Sequence, residues 1–459
     1  MDNAKGSIRD NIQVGMDKFI KIAISIILTS FYLFPFEFKF LPGINTKMAM
    51  AAVGGGLLIL HLAHKRMANI DRSFLEIVIY GALISFVAFI SYTYNNTIDY
   101  SFVRYPVSIF VWMAGAYCLC QWIKKVHGVV SVELLGRYMI VVCVLQCILA
   151  LSIDRLPMLK AFVNSFLGGE ELYMSAVEGR LYGIGCALDV AGGRFAAILV
   201  IIACLSTRKQ TLSRPLWVTF YIMSALVIII IGNMVGRTTT VGMVLAIVYW
   251  IYMYFRGDKR GQFSKYLFVV ALCSLPFIIY LYKTDLVIQD YLRFGFEGFF
   301  SLVEQGKWDV GSNNILREYM IVFPDNLKTW LIGDAYAMNP SEYDPLYIGP
   351  VFKGFYMNTD VGYLRFIFYF GIIGCITMVL FISKISAICI ERFPEYRVMF
   401  LMLLVVNLVI WLKVTTDIFL VFAPYLCISA IDNDEYEKQS QVNSIETTNA
   451  EIGALDAGE

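Results

Sequence analysis

Charge is what this sequence has least of. Lys, Arg, Asp and Glu make up 16% of the 459 residues, where a soluble domain carries roughly 25%. Hydrophobic residues make up 58% and mean hydropathy is +0.66. An ordinary soluble globule is thereby excluded, and most of the chain belongs in lipid. The formal net charge is only +1, and no basic run extends beyond the short connections, so a nucleic-acid surface is not expected. Histidine is nearly missing: His61, His64 and His127 are all there is. The cysteines all fall in or beside apolar runs, which leaves neither a disulfide framework nor a metal-ligand spacing. They read as small core hydrophobes.

What is there is apolar sequence in long pieces. Runs able to cross ~30 Å of hydrocarbon begin near Phe19, Lys47, Phe74, Val103, Leu134, Cys186, Leu216, Arg237, Tyr266, Val361, Val398 and Val414. The pattern predicts an all-α polytopic integral membrane protein with about twelve transmembrane helices. The first reads as a transmembrane helix after a polar leader rather than a cleaved signal peptide. Lys and Arg concentrate in alternate connections (Lys65 and Arg66, Lys124 and Lys125, Arg208 and Lys209, Lys259 and Arg260). That bias puts both termini in the cytoplasm. Residues 1–283 then hold helices 1–9 with an outer loop near 154–185, and residues 284–360 form one large outer loop. Residues 361–431 hold helices 10–12, and the acidic, Ser/Thr/Asn-rich residues 432–459 read as a disordered cytoplasmic tail. In the large loop the stretch from Asp285 to Val303 has the mixed pattern of an interfacial amphipathic helix.

Ionisable residues inside spans are costly and point to function. Here they lie near the outer ends of helices: Asp189 and Arg194 in the sixth, Arg237 opening the eighth, Arg365 a turn into the tenth, Asp417 at the start of the twelfth. Each has a bland reading. Asp189 and Arg194 can pair with each other or with neighbours, Arg237 can snorkel, and Asp360 suits the N-cap of the tenth helix. Their common placement is harder to dismiss. A transporter needs polar groups near the midplane, whereas an enzyme working on a lipid-anchored head group needs them at the interface. The distribution favours the enzyme.

Several short segments fit one family in order and placement. Gly179-Arg180-Leu181-Tyr182-Gly183, followed by Gly192 and Gly193, precedes one helix, and Gly236-Arg237-Thr238-Thr239-Thr240 opens another. Asn314-Ile315-Leu316-Arg317-Glu318-Tyr319 and Trp330-Leu331-Ile332-Gly333-Asp334 lie in the large loop. Asn358-Thr359-Asp360-Val361-Gly362-Tyr363-Leu364, with Gly371 and Gly374 beyond, forms the loop-to-helix junction. In topology and in these segments the chain resembles the O-antigen polymerase and ligase superfamily, the Wzy-like and WaaL-like membrane glycosyltransferases of GT-C type. It departs from the polymerase pattern by one residue in the spacing from Arg180 to glycine, and by Gly236 where that family has serine. Ligases of the family tend to carry a His-Asn pair at the junction, and no histidine stands there in this chain.

The resemblance implies a large periplasmic loop, a location in the bacterial cytoplasmic membrane, and polymerisation of oligosaccharide repeat units carried on undecaprenyl diphosphate. The partners implied are that lipid-linked oligosaccharide, membrane lipid and a chain-length regulator, with no nucleic acid. No periplasmic Asp-x-Asp or glycine-rich phosphate loop is present, so no metal, nucleotide or other cofactor is expected. Arginine forks suit a departing diphosphate. Arg180 and Arg317 are the leading candidates, with Arg237 and Arg365 behind them. Asp360 is the candidate base for the acceptor hydroxyl, with Asp189 and Asp417 in reserve. Asp189, Tyr363 and Trp330 join the substrate-binding set, Trp330 as a surface for a sugar face. An O-antigen ligase is the nearest alternative, and a lipid-linked oligosaccharide flippase is the alternative from another class.

Overall fold

Apolar segments without water to satisfy their backbone have one inexpensive solution, the α-helix. The computed structural model describes residues 2–64, 72–168, 180–256 and 262–428, and these adopt it almost throughout. Expectations placed on the tail, on Gly179 and on Lys65, Arg66, Lys259 and Arg260 lie outside the described residues. The first six helices are α1 (Asp2–Leu33), α2 (Thr46–His64), α3 (Arg72–Asn95), α4 (Tyr105–His127), α5 (Val132–Arg155) and the short α6 (Pro157–Phe166). Then follow α7 (Leu188–Ser206), α8 (Pro215–Val235), α9 (Thr239–Phe255), α10 (Gln262–Thr284), α11 (Leu286–Gly295) and α12 (Glu297–Gln305). Helices of five residues or fewer aside, the last three among the described residues are α13 (Gly362–Arg392), α14 (Arg397–Ile410) and α15 (Phe419–Ile428). Among the described residues β-structure is limited to isolated bridges such as that of Phe38 with Leu167.

Seven of these helices (α3, α4, α5, α7, α8, α10 and α13) are long and apolar enough to cross a membrane. Residues 46–61, α9 and α15 are apolar but shorter. Each of the twelve expected starts falls in a helix or within a few residues of one. The difference is length, since α14 has only 14 residues where about 20 span the hydrocarbon.

Helix α7 is the axis. From Ala191 to Ser206 every residue is buried, and α5, α8, α9 and α14 all pack on it. A helix apolar all round belongs at the centre of a bundle. Helix α13 packs against α3 and α14.

Helix α13 is broken at Phe370 and Gly371, and the break is filled by the long loop. Gly371 has φ +71° and Gly333 has φ +82°. The amides of Asp334 and Ala335 donate to the carbonyls of Phe368 and Tyr369 at 2.6 and 2.9 Å, and the Ser91 hydroxyl donates to Tyr369 at 2.7 Å. Carbonyls released by the break are therefore paired with the loop instead of being left bare. The Trp330-to-Asp334 turn is a plug rather than a surface ornament.

A second tie fixes the loop to the α3–α4 connection. The Asp99 carboxylate, almost fully buried, accepts from the Ala337 amide at 2.8 Å, the Tyr343 hydroxyl at 2.8 Å and the Ser101 amide at 2.9 Å. Thr97 donates to the Ala335 carbonyl and Asn95 to that of Gly333. Asp99→Ala strands these donors, each at a cost of about 1–3 kcal/mol. Amide exchange in residues 334–344 should accelerate at least tenfold. Unchanged protection would show that Asp99 does not hold the loop.

Candidate functional site

The ends of α8, α11 and α14 meet the beginnings of α7, α9 and α13 at one end of the bundle, and the charged residues gather there. Gly236 makes the approach possible: a Cβ at this position would lie 2.4 Å from the Leu188 carbonyl oxygen. The α8–α9 turn consequently rests directly on the start of α7. Asp189, one residue into α7, accepts from the Thr238 hydroxyl of that turn and from Lys413 Nζ at 2.9 Å. Asp189 thus pairs with neighbours and not with Arg194, and the two lie in different layers. Arg194 is 6% exposed, lies over Phe34 at 5.4 Å and makes no ion pair among the described residues; its Nε has no hydrogen-bond partner.

Arg237 is ion-paired with Glu297, the first residue of α12. Burial lowers the pKa of its guanidinium, while Glu297 pulls it back up. One aromatic ring links two of the expected arginines: Arg180 and Arg237 lie 4.9 and 4.6 Å from the centre of Phe294. Arg180 makes no hydrogen bond or ion pair among the described residues, and it acts on both Asp189 and Arg237 through space. A cation held by a π-face and without a counter-ion among the described residues has capacity for an anionic ligand.

Asp360 sits on the other wall. The N-cap of α13 is Val361, one residue later, and no side chain caps it. Asp360 therefore caps nothing and makes no hydrogen bond or ion pair among the described residues. Burial pushes its carboxyl above the ordinary value; Arg365 opposes this, Asp189 adds to it, and Lys413 opposes it again. Arg365 stacks on Phe355 at 3.6 Å and donates to Thr415 Oγ1 at 2.9 Å and to the Ala337 carbonyl at 3.2 Å. Strained backbone borders the site. Of the positive-φ residues other than glycine, Leu188 directly precedes Asp189, and Met357 and Asn358 lie just before Asp360.

The structure thus brings together Arg180, Asp189, Arg237, Asp360 and Arg365. Tyr363 is near but committed: its hydroxyl donates to the Leu408 carbonyl at 2.9 Å and its ring meets Trp411 edge-on. Trp330 is occupied by the Pro324 carbonyl at 2.9 Å and by Phe323. Arg317 lies on an exposed π-turn, Leu316–Met320, and contacts neither the cluster nor any counter-ion among the described residues. Asp417 belongs to a deeper layer, where it accepts from the Tyr105 hydroxyl at 2.9 Å within electrostatic reach of Arg194 and Lys47.

Three contributors were not singled out by the sequence, Phe294, Glu297 and Lys413, and Thr238 stood there only as part of the Gly236-to-Thr240 segment. Lys413 carried a signal, since it interrupts an otherwise continuous apolar stretch. Glu297 and Phe294 lie within the amphipathic segment of the loop, but nothing local says which of its charges turns inward. No protein-family model, curated protein or solved structure matches the chain.

Proposed function

We propose that this protein is a membrane glycosyltransferase that lengthens polysaccharide from undecaprenyl-diphosphate-linked repeat units on the periplasmic face of a bacterial cytoplasmic membrane. In this reading the chain crosses about twelve times, its termini are cytoplasmic, and the product is O-antigen or capsular polysaccharide. The observation that carries it is a carboxylate without a partner among the described residues, Asp360, within electrostatic reach of Asp189 and Lys413, while Asp189 is in turn within reach of Arg180 and Arg237. Asp360 takes the proton of the acceptor hydroxyl. The freed oxygen bonds to the anomeric carbon of the donor sugar while the bond from that carbon to the diphosphate oxygen breaks. Arg180 and Arg237 meet the charge that develops on the departing diphosphate, in a partly desolvated site where fixed cations act strongly. Arg365 and Lys413 keep Asp360 ionisable despite its burial. Arg317, outside this group, is assigned to the approach of the anionic substrate.

The test is chain growth by the purified protein given lipid-linked repeat units and nothing else. A ladder of lengthened chains is expected. Units that stay single overturn the enzyme reading, and movement of intact units across a vesicle membrane without growth identifies a carrier. In a second reaction supplied with finished lipid-linked glycan and a lipid acceptor, transfer to that acceptor identifies a ligase. Arg180→Ala should slow growth about ten- to a hundredfold, and Arg317→Ala only severalfold. Equal losses from the two would contradict the division of roles.

A further inference from the structure

Next to the charged cluster lies a half-open cavity of about 190 Å³, between the start of α9, the end of α14 and the corner joining α11 to α12. Arg237 and Lys413 line it as well as the cluster, and Lys413 also acts on Asp360 through space, so its contents lie one residue from the proposed base. At about 30 Å³ per water it holds roughly six waters, the room of one sugar ring and its hydroxyls rather than a chain.

Trp308 is the feature that points to a ligand. Its side chain is 51% exposed, yet the ring is held. It lies flat against Gly298, where an added Cβ would come within 2.4 Å of the indole, and Phe299 meets it edge-on at 5.1 Å. The result is a rigid apolar plate facing open space. Around it stand groups able to hydrogen-bond. The Glu297 carboxylate is fixed by the Gly311 amide at 3.0 Å and by Arg237. The Asn313 amide and Ser312 hydroxyl side chains make no hydrogen bond to the described residues, and both line the cavity.

A pyranose has what this arrangement lacks: a C–H face to lie on an indole and a rim of hydroxyls for a carboxylate and an amide. Apolar lining with a few placed polar groups is the usual form of a small-molecule site, and a plate fixed before binding lowers the ordering cost. An acyl chain would leave the Glu297 and Arg237 charges facing hydrocarbon. We infer that this cavity is the acceptor subsite and holds one terminal sugar ring of the acceptor stacked on Trp308. The inference rests on the proposed polymerase reading, which is what gives a sugar acceptor a use here.

Binding can be tested without turnover. Saturation-transfer NMR on the detergent-solubilised protein would use a panel of methyl glycosides of common hexoses, deoxyhexoses and N-acetylhexosamines. At least one should receive saturation at its ring C–H protons. The signal should vanish in Trp308→Ala, weaken in Gly298→Ala and persist in Asp360→Asn. Ser312→Trp, which fills the cavity from another wall, should abolish it should Trp308→Ala fail to fold. In the chain-growth assay Trp308→Ala should raise KM for the acceptor at least tenfold and change kcat less than about threefold. No signal from any glycoside overturns the inference, as does a signal that survives in folded Trp308→Ala. Quenching of the Trp308 emission by brominated lipid in nanodiscs, taken as the difference from Trp308→Phe, also overturns it by showing an interfacial anchor. A Trp308-dependent sugar signal in a protein that never lengthens chains would sink the polymerase reading and leave the sugar site standing.

Discussion

Asp360→Asn should leave the protein folded in the membrane and cut chain growth by about 10²- to 10⁴-fold, the range for losing a positioned base. The two halves of this expectation have different origins. Burial raises the carboxyl above its usual value and no hydrogen bond offsets it, so holding it ionised opposes folding. A group whose folded pKa is raised contributes fully to stability while protonated, and that contribution is lost as pH climbs through the window above the unfolded value. Asparagine has no such window, so the variant should unfold at the same temperature as the wild type or higher. In the wild type the base works only when ionised. Its acidic limb should therefore lie above the ordinary carboxylate range near 4, with rate falling as pH drops through it. Undiminished ladders from Asp360→Asn would remove the residue from the mechanism, and a lowered unfolding temperature would mean a structural part for it.

The other large effect concerns the fold. Gly371→Ala puts a side chain at φ +71° and a Cβ 2.2 Å from the Leu331 carbonyl oxygen. The backbone conformation costs about 1–3 kcal/mol, and forcing an atom into packed backbone about 1–3 kcal/mol more. Against a total stability of about 5–15 kcal/mol, most of the protein should be lost from the monodisperse peak in fluorescence-detected size exclusion. Gly333→Ala, at φ +82° with a Cβ 2.4 Å from the Tyr369 carbonyl, should do nearly the same. Gly354→Ala is the contrast, since its φ of +83° is matched by open space around it, and it should cost only the conformational part. Wild-type behaviour from Gly371→Ala would mean that α13 can run straight through the break.

The helices were legible because hydrocarbon enforces a simple code: apolar length locates a helix to within a few residues. The break in α13 was not legible. Phe370 and Gly371 sit in an unbroken apolar run, and the groups that make the break tolerable come from Asp334 and Ala335, far back in the chain. The site divides the same way. Asp189, Arg237 and Arg365 were visible because charge beside lipid is expensive wherever it stands. Glu297 was hidden, since a carboxylate in a polar loop costs nothing until tertiary structure turns it toward Arg237. Arg317 shows the converse. Its motif made it conspicuous, while the π-turn leaves it facing outward.

The pairing of loop amides with helix carbonyls at Phe368 and Tyr369 has a consequence for anyone wishing to re-engineer specificity. Residues 284–360 read as a separable cap along the chain, yet a transplant of that cap would arrive without the broken helix it completes, and the recipient would lose the loop amides from both carbonyls, with Ser91 left to serve Tyr369 and nothing from the loop to serve Phe368. The smallest exchangeable unit therefore runs through Gly371, and natural recombination should respect the same seam.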